Sequence, residues 1–108
     1  MAIGNYPYGS IDVESSPTPA FDLSLGDVFI MTLKDNVTSM EMKGAQVGAH
    51  YTFIFYQNGS GLHSVTWPNN FKGCVAVPIT STANTATVQQ VIYDGTNYYA
   101  VAIGQTGL

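Results

Sequence analysis

Four stretches of the chain carry closely spaced apolar residues with β-branched and aromatic enrichment. They are residues 27–33 (DVFIMTL), 51–57 (YTFIFYQ), 86–93 (ATVQQVIY) and 98–103 (YYAVAI). Such runs of 6–8 residues, bounded by Gly, Pro, Asn and Asp, predict β-strands. A weaker run over 37–42 ends at Lys43 and Gly44. Residues 62–67 are expected to return as a strand after the turn Asn58-Gly59-Ser60-Gly61, with Pro68 as the stop. Residues 74–78 read as one more short strand, closed by Pro78. The clearest hairpin signal is Asp94-Gly95-Thr96-Asn97, because Asp, Asn and Gly tolerate the turn's positive φ. No window of eleven or more residues repeats at the helical period. Only residues 39–48 could hide a helical turn, and Gly44 and Gly48 weaken it. The expectation is an all-β fold: a small antiparallel β-sandwich or barrel-like domain over residues 21–108.

Residues 1–20 differ. They show no period, and Pro7, Pro17 and Pro19 exclude a helix and disfavour a central strand. This segment is expected to be an extended N-terminal arm that becomes ordered on another surface. Ile3, Tyr6, Tyr8 and Ile11 are its candidate apolar anchors, and Asp12 and Glu14 could meet basic groups at the rim. Ordering such an arm costs roughly 1–2 kcal/mol of backbone entropy per residue, so isolated contacts would not hold it.

Both sides of the strongest strands are apolar. Tyr51, Phe53 and Phe55 oppose Thr52, Ile54 and Tyr56; Phe29, Met31 and Leu33 oppose Val28, Ile30 and Thr32. A sheet with one solvated face should alternate more cleanly. These strands are therefore expected to be covered once by the core and once by a neighbouring subunit. Phe29, Met31, Phe53, Phe55, Trp67, Val91 and Val101 are the candidate core or trimer-interface residues.

Composition sharpens this picture. The 108 residues suit one domain. Only 9% are charged, and Lys34, Lys43 and Lys72 are the only cations apart from histidine. That scarcity argues against nucleic acid or an anionic membrane as partner. Polarity comes instead from Ser, Thr, Asn, Gln and Tyr, which are cheaper than charges to bury against another protein. The single Cys74 excludes an internal disulfide framework. The first ten residues have neither a basic region nor an apolar run, so no signal peptide is expected. No stretch approaches the 18 apolar residues of a spanning helix.

Candidate chemistry is thin. Asp27, Asp35 and Asp94 sit beside turns, where carboxylates cap backbone N–H groups. His63 shares a predicted strand face with Val65 and Trp67, and His50 precedes a strand; their spacing fits no metal motif. Ser60 lacks the preceding glycine of a nucleophile elbow, since Asn58 stands there, and it joins two predicted strands. Cys74 opens an apolar run and reads as a small buried hydrophobe. Tyr6, Tyr8, Tyr93, Tyr98, Tyr99 and Trp67 could stack on a sugar ring, although Tyr98 and Tyr99 point to opposite faces. No cofactor and no enzymatic activity are expected.

One ordered set of segments carries a resemblance. It runs from YTFIFYQNGSG (51–61) through SVTWPNNF (64–71) and STAN (81–84) to VIYDGTNYY (91–99). The series resembles a short β-domain recurrent in tailed-phage structural proteins, including capsid decoration proteins, head fibres and tail-fibre tips. The resemblance covers residues 27–103; Tyr98 stands where tryptophan is frequent. It implies a β-structured virion protein, commonly trimeric, with no catalytic residues. A chain that opens on Met1 and ends at residue 108 is expected to be a free-standing capsid decoration, or cement, protein. It would bind the major capsid protein on the outer capsid surface as a homotrimer, after assembly in the host cytoplasm. The alternative is a head-fibre or tail-fibre tip that recognises host glycan.

Overall fold

A computed structural model of the chain describes residues 10–75 and 82–108. All its regular elements are strands: β1 (Ser10–Asp12), β2 (Ala20–Asp22), β3 (Val28–Leu33), β4 (Glu41–Lys43), β5 (His50–Gln57), β6 (Phe71–Lys72), β7 (Ala86–Tyr93) and β8 (Tyr98–Ala100). The all-β expectation holds. Six strands form one sheet in the order β1-β3-β5-β7-β8-β6, and β2 pairs with β4 in a second, small sheet.

The pairing is mixed, where an antiparallel fold was expected. β1 and β3, β3 and β5, β6 and β8, and β2 and β4 are parallel, while β5–β7 and β7–β8 are antiparallel. The connectivity gives the reason. The chain leaves the large sheet after β1 to make β2, returns as β3, leaves again for β4 and returns as β5. Strands separated by such an excursion re-enter in the same direction. β5 is paired with β3 over residues 52–57 and with β7 over residues 50–56, so no edge is left there for the expected 58–61 hairpin. Residues 62–67 make only a bridge, Val65 to Val37. The Gln57 side chain holds this loop by accepting from the His63 N–H at 3.0 Å and donating to its carbonyl at 2.7 Å. The 94–97 hairpin does form, with Tyr93 opposite Tyr98. Asp94 caps it by accepting the N–H groups of Thr96 and Asn97.

Three further boundaries move. Residues 74–75 are not in a strand, Phe71–Lys72 being the paired segment, and the rest of the strand expected over 74–78 lies outside the described residues. Segment 98–103 is a strand only to Ala100. After it the chain bulges and re-pairs, Gln105 exchanging both backbone hydrogen bonds with Val88. Gln89 fills the bulge: its amide donates to the Gln90 and Ala102 carbonyls and accepts from the Val75 N–H. A Cβ on Gly104 would collide with that Gln89 oxygen and with Val75, so the bulge requires glycine there. Finally, part of the expected arm is built into the domain. β1 is an edge strand with Ile11 opposite Phe29, and Pro19 is buried.

The core lies on one face of the large sheet. Phe29, Met31, Phe53, Phe55 and Val91 are at most 2% exposed, so the monomer alone buries these five. Phe21 from β2 meets Phe29 and Phe53 edge-on, at centroid distances of 6.0 and 5.5 Å, which docks the small sheet. Trp67 is half-buried; it meets Phe53 and Phe55 edge-on and stacks on Phe71. Val101, at 45% exposed, lies outside the monomer core: it shares the outer parity of Tyr99, and its N–H donates to the Gln90 carbonyl, so of the two places expected for it, core or trimer interface, the monomer removes the first.

Candidate interaction surface

The opposite face of the large sheet has a different character. Strand alternation places Val28, Ile30 and Thr32 of β3 on it, with His50, Thr52, Ile54 and Tyr56 of β5 and Ala86, Val88, Gln90 and Ile92 of β7. Register aligns them in rows across the sheet: Asp12–Ile30–Ile54–Val88, then Ser10–Val28–Thr52–Gln90, then His50–Ile92–Tyr99. The five aliphatic members are all half-buried rather than buried, and Tyr56 and Tyr99 are exposed. The two small-sheet strands pack on the other side through Phe21, so they do not cover this face. A Gln90–Thr52 side-chain hydrogen bond crosses its middle. The full charges stand at its two edges: Asp12 on β1, and Lys72 on β6, which lies opposite Tyr99.

A second candidate is the loop cluster at one end of the sheet. Asn58 accepts the Ser60 and Gly61 N–H groups and contacts the His63 ring, while its carbonyl accepts the Asn84 N–H. Leu62 and Asn84 hold positive φ, 64° and 62°. Leu62 is 73% exposed. An apolar residue kept both exposed and in the left-handed region is uncommon, and such conformations persist where the surroundings impose them.

The remaining sequence candidates resolve individually. Ile3, Tyr6 and Tyr8 lie outside the described residues. Ile11 packs against the core, and Asp12 and Glu14 line a surface depression of about 510 Å³ with Thr32 and Lys34. His50 is exposed, and His63 sits in the 58–64 loop rather than on a strand face. Tyr98 cannot serve as a sugar platform: it is 4% exposed and stacks on Phe71 at 4.3 Å, and Trp67 stacks on that same Phe71. Burial pushes the Tyr98 hydroxyl up to about 12. Burial likewise pushes the Cys74 thiol up to about 11, which leaves it a poor nucleophile. Asp94 is held below the usual aspartate range by the two N–H groups it caps, and Asp22 by hydrogen bonds from Ser24. Among the described residues no group of three or more His, Cys, Asp or Glu could hold a metal ion, and no helix is long and apolar enough to cross a membrane.

Sequence reasoning missed Gln57, Thr87 and Gln89, the buried polar side chains among the described residues. Each lies on the core face and fastens a loop or the C-terminal segment; Thr87 does so through the Thr106 hydroxyl. Their signal was available, since each interrupts an apolar series at the core parity of its strand.

The described residues thus form an all-β domain with a largely neutral sheet face and a hydrogen-bonded loop cluster at one end. Comparison with known families makes this specific: a family model described as "Putative phage tail fibre C-terminal domain" matches residues 17–98, about three quarters of the chain. The chain belongs to that family. It is a bacteriophage structural protein, associated with the virion. β1 and the residues after 98 lie outside the matched region. No curated protein and no solved structure matches the chain.

Proposed function

We propose that this chain is a non-enzymatic recognition module at the exposed end of a phage fibre, working as a homotrimer. The observation that carries this reading is the family match over residues 17–98. The geometry supports it in two ways. The neutral, largely apolar sheet face suits subunit packing, and the loop cluster around Asn58, Leu62 and Asn84 suits contact with a host surface. That cluster is fixed by its own hydrogen bonds, so little order has to be gained on binding. Its neutral amide and hydroxyl groups, with an apolar Leu62 beside them, have the chemistry of a host-glycan site.

The test is competition. Purified protein should reduce adsorption of its phage to host cells. Leu62→Ala combined with Asn84→Ala should abolish that effect without changing the oligomeric state. Undiminished competition by the double variant places recognition elsewhere, and absence of competition by the parent protein defeats the fibre-tip reading.

A second reading, a capsid decoration protein on the outer capsid surface, draws on a different observation. The segment ahead of β2, with Ile3, Tyr6, Tyr8, Ile11, Asp12 and Glu14, lies outside the region shared with the fibre family. In that reading it staples the trimer to the major capsid protein. Incubation with undecorated capsids separates the two: a cement protein decorates them and loses occupancy when residues 1–9 are deleted, whereas a fibre tip does not bind.

A further inference from the structure

We propose that the face of the six-stranded sheet opposite the core is where copies of this chain meet, with the β1 edge of one copy beside the β6 edge of the next. This rests on the homo-oligomer reading above and assigns it a surface. The occupant is a second copy for three reasons.

The first is chemistry. The middle of the face, through Val28, Ile30, Ile54, Val88 and Ile92, contains no full charge, and all five are half-buried. Nucleic acid or an anionic surface finds no cation there, whereas the same apolar rows on a second copy match it. The second is charge placement. The β1 edge carries Asp12 and Glu14 with Lys34 close by, and the β6 edge carries Lys72. The first edge is therefore net negative, and Lys72 supplies the cation at the second. A rotation axis running along the strands brings opposite edges of neighbouring copies together, whether it relates two copies or three. An axis across the strands would bring like edges together and oppose them. The third is size. Strands about 4.8 Å apart rising about 3.3 Å per residue give this face roughly 500 Å², so two such faces bury on the order of 1,000 Å², where specific interfaces begin.

The experiment is sedimentation of the full 108-residue chain at micromolar concentration. Ile54→Asp and Val88→Asp, separately, should raise the dissociation constant by about a hundredfold or more, because each buries a carboxylate against an apolar partner. Leu62→Asp, away from the face, should leave assembly unchanged. Lys72→Glu should weaken association about tenfold, and adding Asp12→Lys should restore it. Far- and near-ultraviolet dichroism reports whether each variant is folded. A folding-independent arm uses the Cys74→Ser background with Asp12→Cys and Lys72→Cys: intermolecular disulfides should form under mild oxidation. Folded aspartate variants that still assemble, or cysteines that never cross-link within an assembled protein, overturn the assigned face while the oligomer stands. A parent chain that sediments as a monomer overturns the oligomer reading itself, and the assignment with it.

Discussion

The two faces of the same sheet meet different fates, although the strands supply both with apolar residues. On the inner face, Phe29, Phe53, Phe55 and Phe71 meet Phe21 and Trp67 in a continuous layer of edge-on and stacked rings. On the outer face, Ile30, Ile54 and Val88 stand in one row, half-buried. The difference comes from what crosses each side. The excursions that build β2 and β4 both pass over the inner face. Hydrophobicity alone therefore does not say which face of a strand seals a monomer; the route of the chain does.

The contrast can be broken most severely from the inner side. Phe53→Ala should destabilise the monomer by about 3–5 kcal/mol, because Phe53 is fully buried and touches four other aromatic rings. Urea unfolding measures it, and a loss under about 1 kcal/mol would make the inner face no core.

Next comes the polar stitch on that face. Gln89→Leu should cost about 1–3 kcal/mol, since it strands the Val75 N–H and the Ala102 carbonyl. Hydrogen exchange should quicken at Val75. Gln90→Leu, one residue along on the exposed side, should change stability by about 0.5 kcal/mol or less. Equal costs for the two would erase the distinction between the faces.

On the outer side, Ile54→Ala should cost the isolated monomer about 1 kcal/mol, because its side chain stays partly in water in both states. An effect as large as that of Phe53→Ala would show the outer face to be sealed within one chain.

The smallest expected effect lies off both faces, at the turn. The Asn97 and Thr96 N–H groups hold the folded pKa of Asp94 below the ordinary aspartate value. Its contribution is therefore fully present above that value and is lost as pH falls through the lower folded pKa. Asp94→Ala should flatten the acid end of the stability profile and leave the neutral-to-alkaline part of its shape unchanged. A slope between pH 4 and pH 2 identical to that of the parent would remove Asp94 from the turn's support.

Much of this was legible in the sequence because it depends on local periodicity. Parity along residues 27–33, 51–57 and 86–93 places Phe29, Met31, Phe53, Phe55 and Val91 on one side, and Asp94-Gly95 marks a hairpin by its backbone preferences alone. The doubly apolar strands also announced that a second face would be left over. The tertiary structure decided the rest. Whether β5 turns back on the strand after it or lies between β3 and β7 depends on pairing between distant segments, which turn residues cannot specify. Alternation from buried Tyr98 carries as far as Val101 on the outer side and then stops, because the bulge after it is held from outside its strand by Gln89 and by the absence of a Cβ at Gly104. Gln57 and Gln89 look like errors in an apolar pattern until the loops they hold are in place. Short-range preference sets which residues pair up along a strand, and the path of the chain in space sets what each face then meets.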